Sequence, residues 1–386
     1  MSIPPGTYPS SPRSSHDPDP RVNPRFRRNY SRMRALAFFV IAAAYYAVAE
    51  RIASLAAGGL SSGDWMDPVY RVALLFLLLF GYSVMGYIFQ RQQHPLSSMG
   101  LVKRVSAGRE FALGAAVGWG MMVACVLPIA LTGGLALTFW TGIHQFELLG
   151  LDLLILVLAA LVEEVAFRGY AFQRLIEAIG PALATLLMAV LFALRHLENP
   201  DATAASTLVT VFAGWLLAIA YLRTRALWLP WGLHFAWNAT MGLLFGLPIS
   251  GIHVFSPVIE ANARGPFWMT GGAYGPEGGF LALPVLLVGI VILFKVTRSY
   301  AWQYAQPVIV PGGVPVDIDA AARRQHEAAM ATPAPPAPPQ FVQIILPASA
   351  APPPPSLPSQ VATADAINSQ SQSTVIAPQD EPFPGG

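Results

Sequence analysis

Apolar stretches close to twenty residues long recur along most of this chain, and a run of that length is what a helix needs to cross the hydrocarbon core of a bilayer. Eight such stretches can be counted, at roughly 35–57, 69–90, 111–137, 149–169, 181–197, 206–222, 228–247 and 280–297. The expected fold class is therefore all-α, a polytopic integral membrane bundle of about eight transmembrane helices. The charge content agrees: 54% of the 386 residues are hydrophobic and 11% are charged, whereas a soluble domain carries about 25% charged residues. A formal net charge of +2, with no basic-aromatic stripe, gives no argument for a nucleic-acid partner. The single cysteine, Cys125, rules out a disulfide within the chain and a thiolate zinc cluster, and is read as a packing residue.

Composition divides the chain into three. Residues 1–30 are rich in Pro, Ser, Arg and Asp and are expected to be disordered, residues 31–302 form the helical domain, and residues 303–386 are a Pro/Ala/Ser/Gln-rich tail, also expected to be disordered. Basic residues alternate between connections. Arg21 to Arg34 precede the first stretch, Arg91, Lys103, Arg104 and Arg109 lie between the second and third, Arg223 and Arg225 between the sixth and seventh, and Lys295 and Arg298 follow the last. The intervening connections carry scattered cations such as Arg71 and Arg264. The positive-inside rule then places both termini in the cytoplasm of a multi-pass protein.

The polar residues inside the apolar stretches carry the functional information. Glu163 and Glu164 lie within the run from Leu149 to Tyr170, where an ionisable group costs on the order of 2.5–3.5 kcal/mol. Glu164 and Arg168 are four apart, on one helical face, and are expected to pair. Glu163 is rotated about 100° from that face and has no local cation, which suits a general base. His196 follows Phe192 by four residues, and His234 precedes Asn238 by four, so each pair shares a face. Read by themselves, these residues fit either a buried polar network that joins helices or a shared reactive site. His196 is awkward, because its stretch places it near the opposite end from Glu163.

Other signals are weaker. Gly59–Gly63 matches GxSxG but lacks the preceding strand that such an elbow needs, no HExxH occurs, and the glycine-rich segment 271–279 reads as a flexible turn region. His253 and Glu260 are expected to be solvated. Gly114 and Gly118 form a GxxxG of the kind that lets helices approach closely.

The ordered set EExxxR, FxxxH, HxxxN, from about Leu149 to Leu247, resembles the CPBP family of intramembrane endopeptidases, which includes the type 2 CAAX prenyl proteases and bacteriocin-processing Abi proteins. The resemblance implies that Glu163 is a general base, His196 its partner in activating water, and His234 with Asn238 the stabilisers of the oxyanion, with Glu164 and Arg168 in support. It also leaves room for a divalent metal such as zinc on Glu163, His196 and His234, although direct action of the glutamate does not require one. The expected activity is cleavage of a peptide bond near the cytoplasmic face of the cell membrane, in a bacterial plasma membrane, with lipid and a peptide or membrane-protein substrate as partners. A catalytically silent immunity or scaffold protein and a proton-coupled transporter are the readings from other classes.

Overall fold

The computed structural model describes residues 24–253 and 258–298, together with 308–309 and 315–316. The helices belong to one compact unit ending at Pro315. They are α1 (Pro24–Leu60), α2 (Met66–Gln90), a single turn α3 (Pro95–Ser98), α4 (Ala107–Leu131), α5 (Ile143–Arg168), α6 (Tyr170–Ile179), α7 (Pro181–Arg195), α8 (Ala204–Thr224), α9 (Trp228–Ala239), a single turn α10 (Phe267–Thr270) and α11 (Ala282–Val296). β1 (Leu135–Phe139) and β2 (Ile259–Ala263) form an antiparallel pair with Leu137 opposite Ala261. In the tail, β3 (Val308–Ile309) and β4 (Pro315–Val316) are described, and the remainder of the 303–386 segment lies outside the described residues, as does 1–23.

Each of the eight apolar stretches is helical over most of its length. Five helices are long and apolar enough to cross a membrane, within Asn29–Leu60, Gly63–Gln90, Ala107–Leu131, Pro181–Glu198 and Ala204–Thr224. α9 and α11, with 12 and 15 residues, are shorter than the twenty or so that a straight span takes. Three expected boundaries differ. α1 starts at Pro24, inside the segment expected to be disordered, since proline fits the first helical position. α4 stops at Leu131, short of residue 137, because Gly133 and Gly134 turn the chain into β1. α5 begins at Ile143, six residues early.

Packing inverts the soluble pattern. Ala42, Ala49 and Ala53 of α1 are fully buried while Leu55 is 63% exposed, and Phe76, Phe80 and Val288 also face outward. Small residues inside and large apolar ones outside suit helices surrounded by lipid, where close backbone approach supplies the contact energy. The chain is a membrane protein by this pattern. The tightest approach is α4 on α9: a Cβ on Gly114 or Gly118 would strike the carbonyl oxygens of Leu229 and Leu233, and one on Gly232 would strike that of Phe111. The GxxxG therefore works within the chain. The GxSxG glycines lie across the end of α1 and a 3₁₀ turn (Gly63–Trp65), with no strand before them.

The bundle has two distinct ends. At one, Trp228 donates to Val102 O (2.9 Å), Gln173 donates to Tyr221 Oη (2.7 Å) and to Ser98 O, and Arg223 donates to Thr297 Oγ1 (3.0 Å). The Arg-rich connections gather there. At the other lie β1 and β2, the Trp140–Glu260 hydrogen bond (3.3 Å) and the Arg195–Glu50 ion pair (3.0 Å).

Candidate active site

α5 does not run through to the Arg-rich end. It breaks at Gly169, where a side chain would strike Val165 O, and the chain continues as α6. Arg168, the last residue of α5, donates through Nη2 to Gly214 O (3.1 Å), halfway along α8. The two glutamates consequently sit deep in the bundle, at the level reached by the far end of α7. This resolves the awkward position of His196: α5 ends in mid-bundle, so Glu163 meets the residues that follow α7.

The expected Glu164–Arg168 pair is present, with Nη1 3.2 Å from Oε1 and both side chains at most 1% exposed. Its surroundings go beyond a local i,i+4 contact. Glu164 Oε1 also accepts from His234 Nδ1 (2.8 Å), reaching from α5 to α9. The Arg168 guanidinium lies 4.5 Å from the Phe192 ring centroid, within cation–π range. Phe192 in turn packs its ring against His196 (4.5 Å between centroids), Phe167 (5.2 Å) and His234 (6.0 Å). The phenylalanine of FxxxH is thus the apolar hub that spaces the polar groups.

Each hydrogen bond settles a tautomer. His196 Nδ1 is 2.8 Å from Phe192 O, and a carbonyl can only accept, so the proton is on Nδ1 and Nε2 is left for other partners. His234 Nδ1 likewise donates to the Glu164 carboxylate, which directs its Nε2 to Glu163 Oε2 at 3.7 Å, too long for a direct hydrogen bond. Glu163 Oε2 is buried and has no hydrogen-bond partner among the described residues. Its side chain nevertheless keeps 25% exposure, against 0% for Glu164.

That exposure opens into a cavity of about 100 Å³, room for a few waters at about 30 Å³ each. Glu163, His196, His234 and Asn238 all line it, so the four sequence-selected residues face one space. Glu164 and Arg168 lie behind it. For a metal the arrangement fits poorly: among the described residues no three His, Cys, Asp or Glu side chains are grouped to hold an ion.

Five further polar residues line the cavity that the motifs do not contain: Arg71, Asn199, Thr210, Ser250 and Glu277. Arg71 is held by Asp67 one turn earlier (3.4 Å). Glu277 comes from the glycine-rich segment expected to be a flexible turn. There Gly271–Gly279 forms two 3₁₀ turns with buried Tyr274 and Pro276, and Glu277 accepts from Trp237 Nε1 (2.8 Å) and from Ser250 N and Oγ (2.5 Å each). It ties down the helix that carries His234 and Asn238. An acidic residue bracketed by glycines was the only signal for it. Glu260, expected to be solvated, accepts from Trp140 on the paired strand connection.

A helix bundle of membrane type, enclosing a carboxylate and two histidines in a small wet cavity, defines the class. Residues 145–240 match the family model for type II CAAX prenyl endopeptidase, Rce1-like, and all three motifs lie inside this segment. Comparison with the curated proteins and with the solved structures finds no match.

Proposed function

We propose that this chain is an intramembrane endopeptidase whose hydrolytic water is activated by Glu163. One observation carries the reading: of two adjacent glutamates, Glu164 is fully buried and held through Oε1 by Arg168 and His234, while the Glu163 side chain, with Oε2 unpartnered, keeps 25% exposure and lines a cavity shared with His196, His234 and Asn238. A purely structural network has no reason to line a water-sized space with a carboxylate, two imidazoles and a carboxamide, since an unmade buried hydrogen bond costs about 1–3 kcal/mol.

In the proposed reaction a water in the cavity gives its proton to Glu163, with His196 Nε2 accepting the second water hydrogen bond, and the water oxygen attacks the carbonyl carbon of the scissile amide. The negative charge passes to the carbonyl oxygen. His234, protonated and held by Glu164, donates from Nε2, and Asn238 donates from its amide. Donors waiting where the oxyanion forms lower the barrier because they need no reorganisation. Glu163 then returns the proton to the amine nitrogen as the C–N bond breaks. Glu163, His196 and His234 are not grouped closely enough to hold a metal together, and no step is assigned to one.

The protein is further proposed to reside in a bacterial plasma membrane with both termini cytoplasmic, surrounded by lipid and acting on a peptide or a membrane-protein segment. The basic connections, gathered at one end, support that orientation. Cleavage of an internally quenched peptide library by the purified chain in defined detergent tests the activity. Glu163→Gln, which keeps the shape and removes the base, should be silent while eluting as folded protein. Equal cleavage by this variant would sink the glutamate mechanism, and no cleavage by the parent chain would favour the silent scaffold.

A further inference from the structure

The cavity is sided. Its wall toward the Arg-rich end is apolar and closed by Leu216, Leu217 and Leu233 from α8 and α9. The residues from connections that line it are Asn199, Ile249, Ser250, Ile252 and Glu277, and all belong to the opposite end, as does Arg71 near the start of α2. No residue of the Arg91–Ser106 or Arg225–Leu227 connections contributes to the lining. The end with the mouth carries Asp64, Asp67, Glu198, Asp201 and Glu260 beside Arg71, Arg195 and Arg264, whereas the far end carries Arg91, Lys103, Arg104, Arg174, Arg223 and Arg225 beside Glu110 and Glu177.

We infer that the cavity is entered from the extracytoplasmic face of the membrane, and that its substrate is an extended polypeptide segment presented from that side. The basis is the combination of the lining with the retention of Lys- and Arg-rich connections in the cytoplasm. This differs from the expectation of cleavage near the cytoplasmic face. That expectation followed from placing Glu163 near the cytoplasmic end of a continuous span, whereas α5 breaks in mid-bundle and its carboxylates open the other way. The substrate half of the inference rests on the endopeptidase reading, and the access half does not.

Two measurements on the full-length chain separate these halves. In a Cys125→Ser background, Asn199→Cys at the mouth and Gln93→Cys at the Arg-rich end are each probed in intact cells with a membrane-impermeant maleimide. Labelling of Asn199→Cys from outside, with Gln93→Cys reacting only after permeabilisation, is expected. The reverse pattern, or labelling of both from one side, overturns the access claim whether or not the protein cleaves anything. The unmodified chain is then placed in sealed vesicles of known orientation with the quenched peptide library outside. Cleavage confined to right-side-out vesicles is expected, and cleavage confined to inside-out vesicles overturns the sidedness while leaving the endopeptidase reading intact. Absence of cleavage in both orientations and in detergent removes the endopeptidase reading, and the labelling still decides the access.

Discussion

Two fully or largely buried carboxylates in this protein face similar surroundings and end up differently. Glu110, at the first turn of α4, is completely buried, and both its oxygens are engaged, Oε1 by Ser106 Oγ (2.8 Å) and Oε2 by Arg104, which also reaches Thr224 O (3.3 Å). It is a closed set that joins α4 to the end of α8, and it does not line the catalytic cavity. Glu163 sits beside an equally buried ion pair but takes no part in it, and its side chain, with Oε2 unpartnered, lines the cavity. Burial and ionisability are common to both. A carboxylate whose hydrogen bonds close on themselves acts as a joint between helices, while one left open toward a cavity is available to a water.

The largest test of that difference is Glu163→Gln, expected to lower kcat by about 10²–10⁴-fold, the span of general-base catalysis, with little change in thermal stability in detergent. Glu110→Gln should behave oppositely, losing about 1–3 kcal/mol of stability through its disturbed pairing while activity per folded molecule stays near the parent value. If the two variants lose activity and stability in the same proportion, the distinction fails. Next in size is His234→Ala, expected to cost about 10²–10³-fold in kcat as an oxyanion donor is removed, with His234→Gln retaining more. Equal loss in both His234 variants would assign the histidine a different role.

Arg168→Ala should act mainly on folding. It leaves Glu164 buried with His234 alone and removes the bond to Gly214 O, at a cost of about 3–5 kcal/mol read as loss of detergent-stable protein. Near-parental yield would show that the pair is dispensable glue. The smallest effect is expected from a strong chelator, which should leave activity within about twofold, because no step is assigned to a metal. Chelator-sensitive cleavage restored by zinc, with stoichiometric ion in the purified protein, would overturn the direct glutamate mechanism.

Much of the site was readable before folding, and the reason is geometric. The Glu164–Arg168 pair, the solitary Glu163, and the His234–Asn238 face all follow from 3.6 residues per turn, which any helix imposes locally. The bond from Glu164 to His234 spans 70 residues and has no local signature. Glu277 was passed over because a glycine-bracketed acid in a connection resembles a solvated turn, and only the packing of Gly251 against Pro200 O and Gly275 against Pro248 O shows that these loops are knitted together.

Apolar length and charge alternation were enough to establish a membrane bundle and which connections share an end, since both depend on transfer free energies summed along the chain. The depth of the carboxylates within the bundle and the connections that enclose them were decided only in three dimensions. The break at Gly169, the anchoring of Arg168 on Gly214 O and the placement of the mouth among Asn199, Ser250 and Glu277 depend on which helices lie side by side. Residue spacing along one helix carries no record of its neighbours, so the sequence could name the candidate groups but not the helices and connections that enclose them.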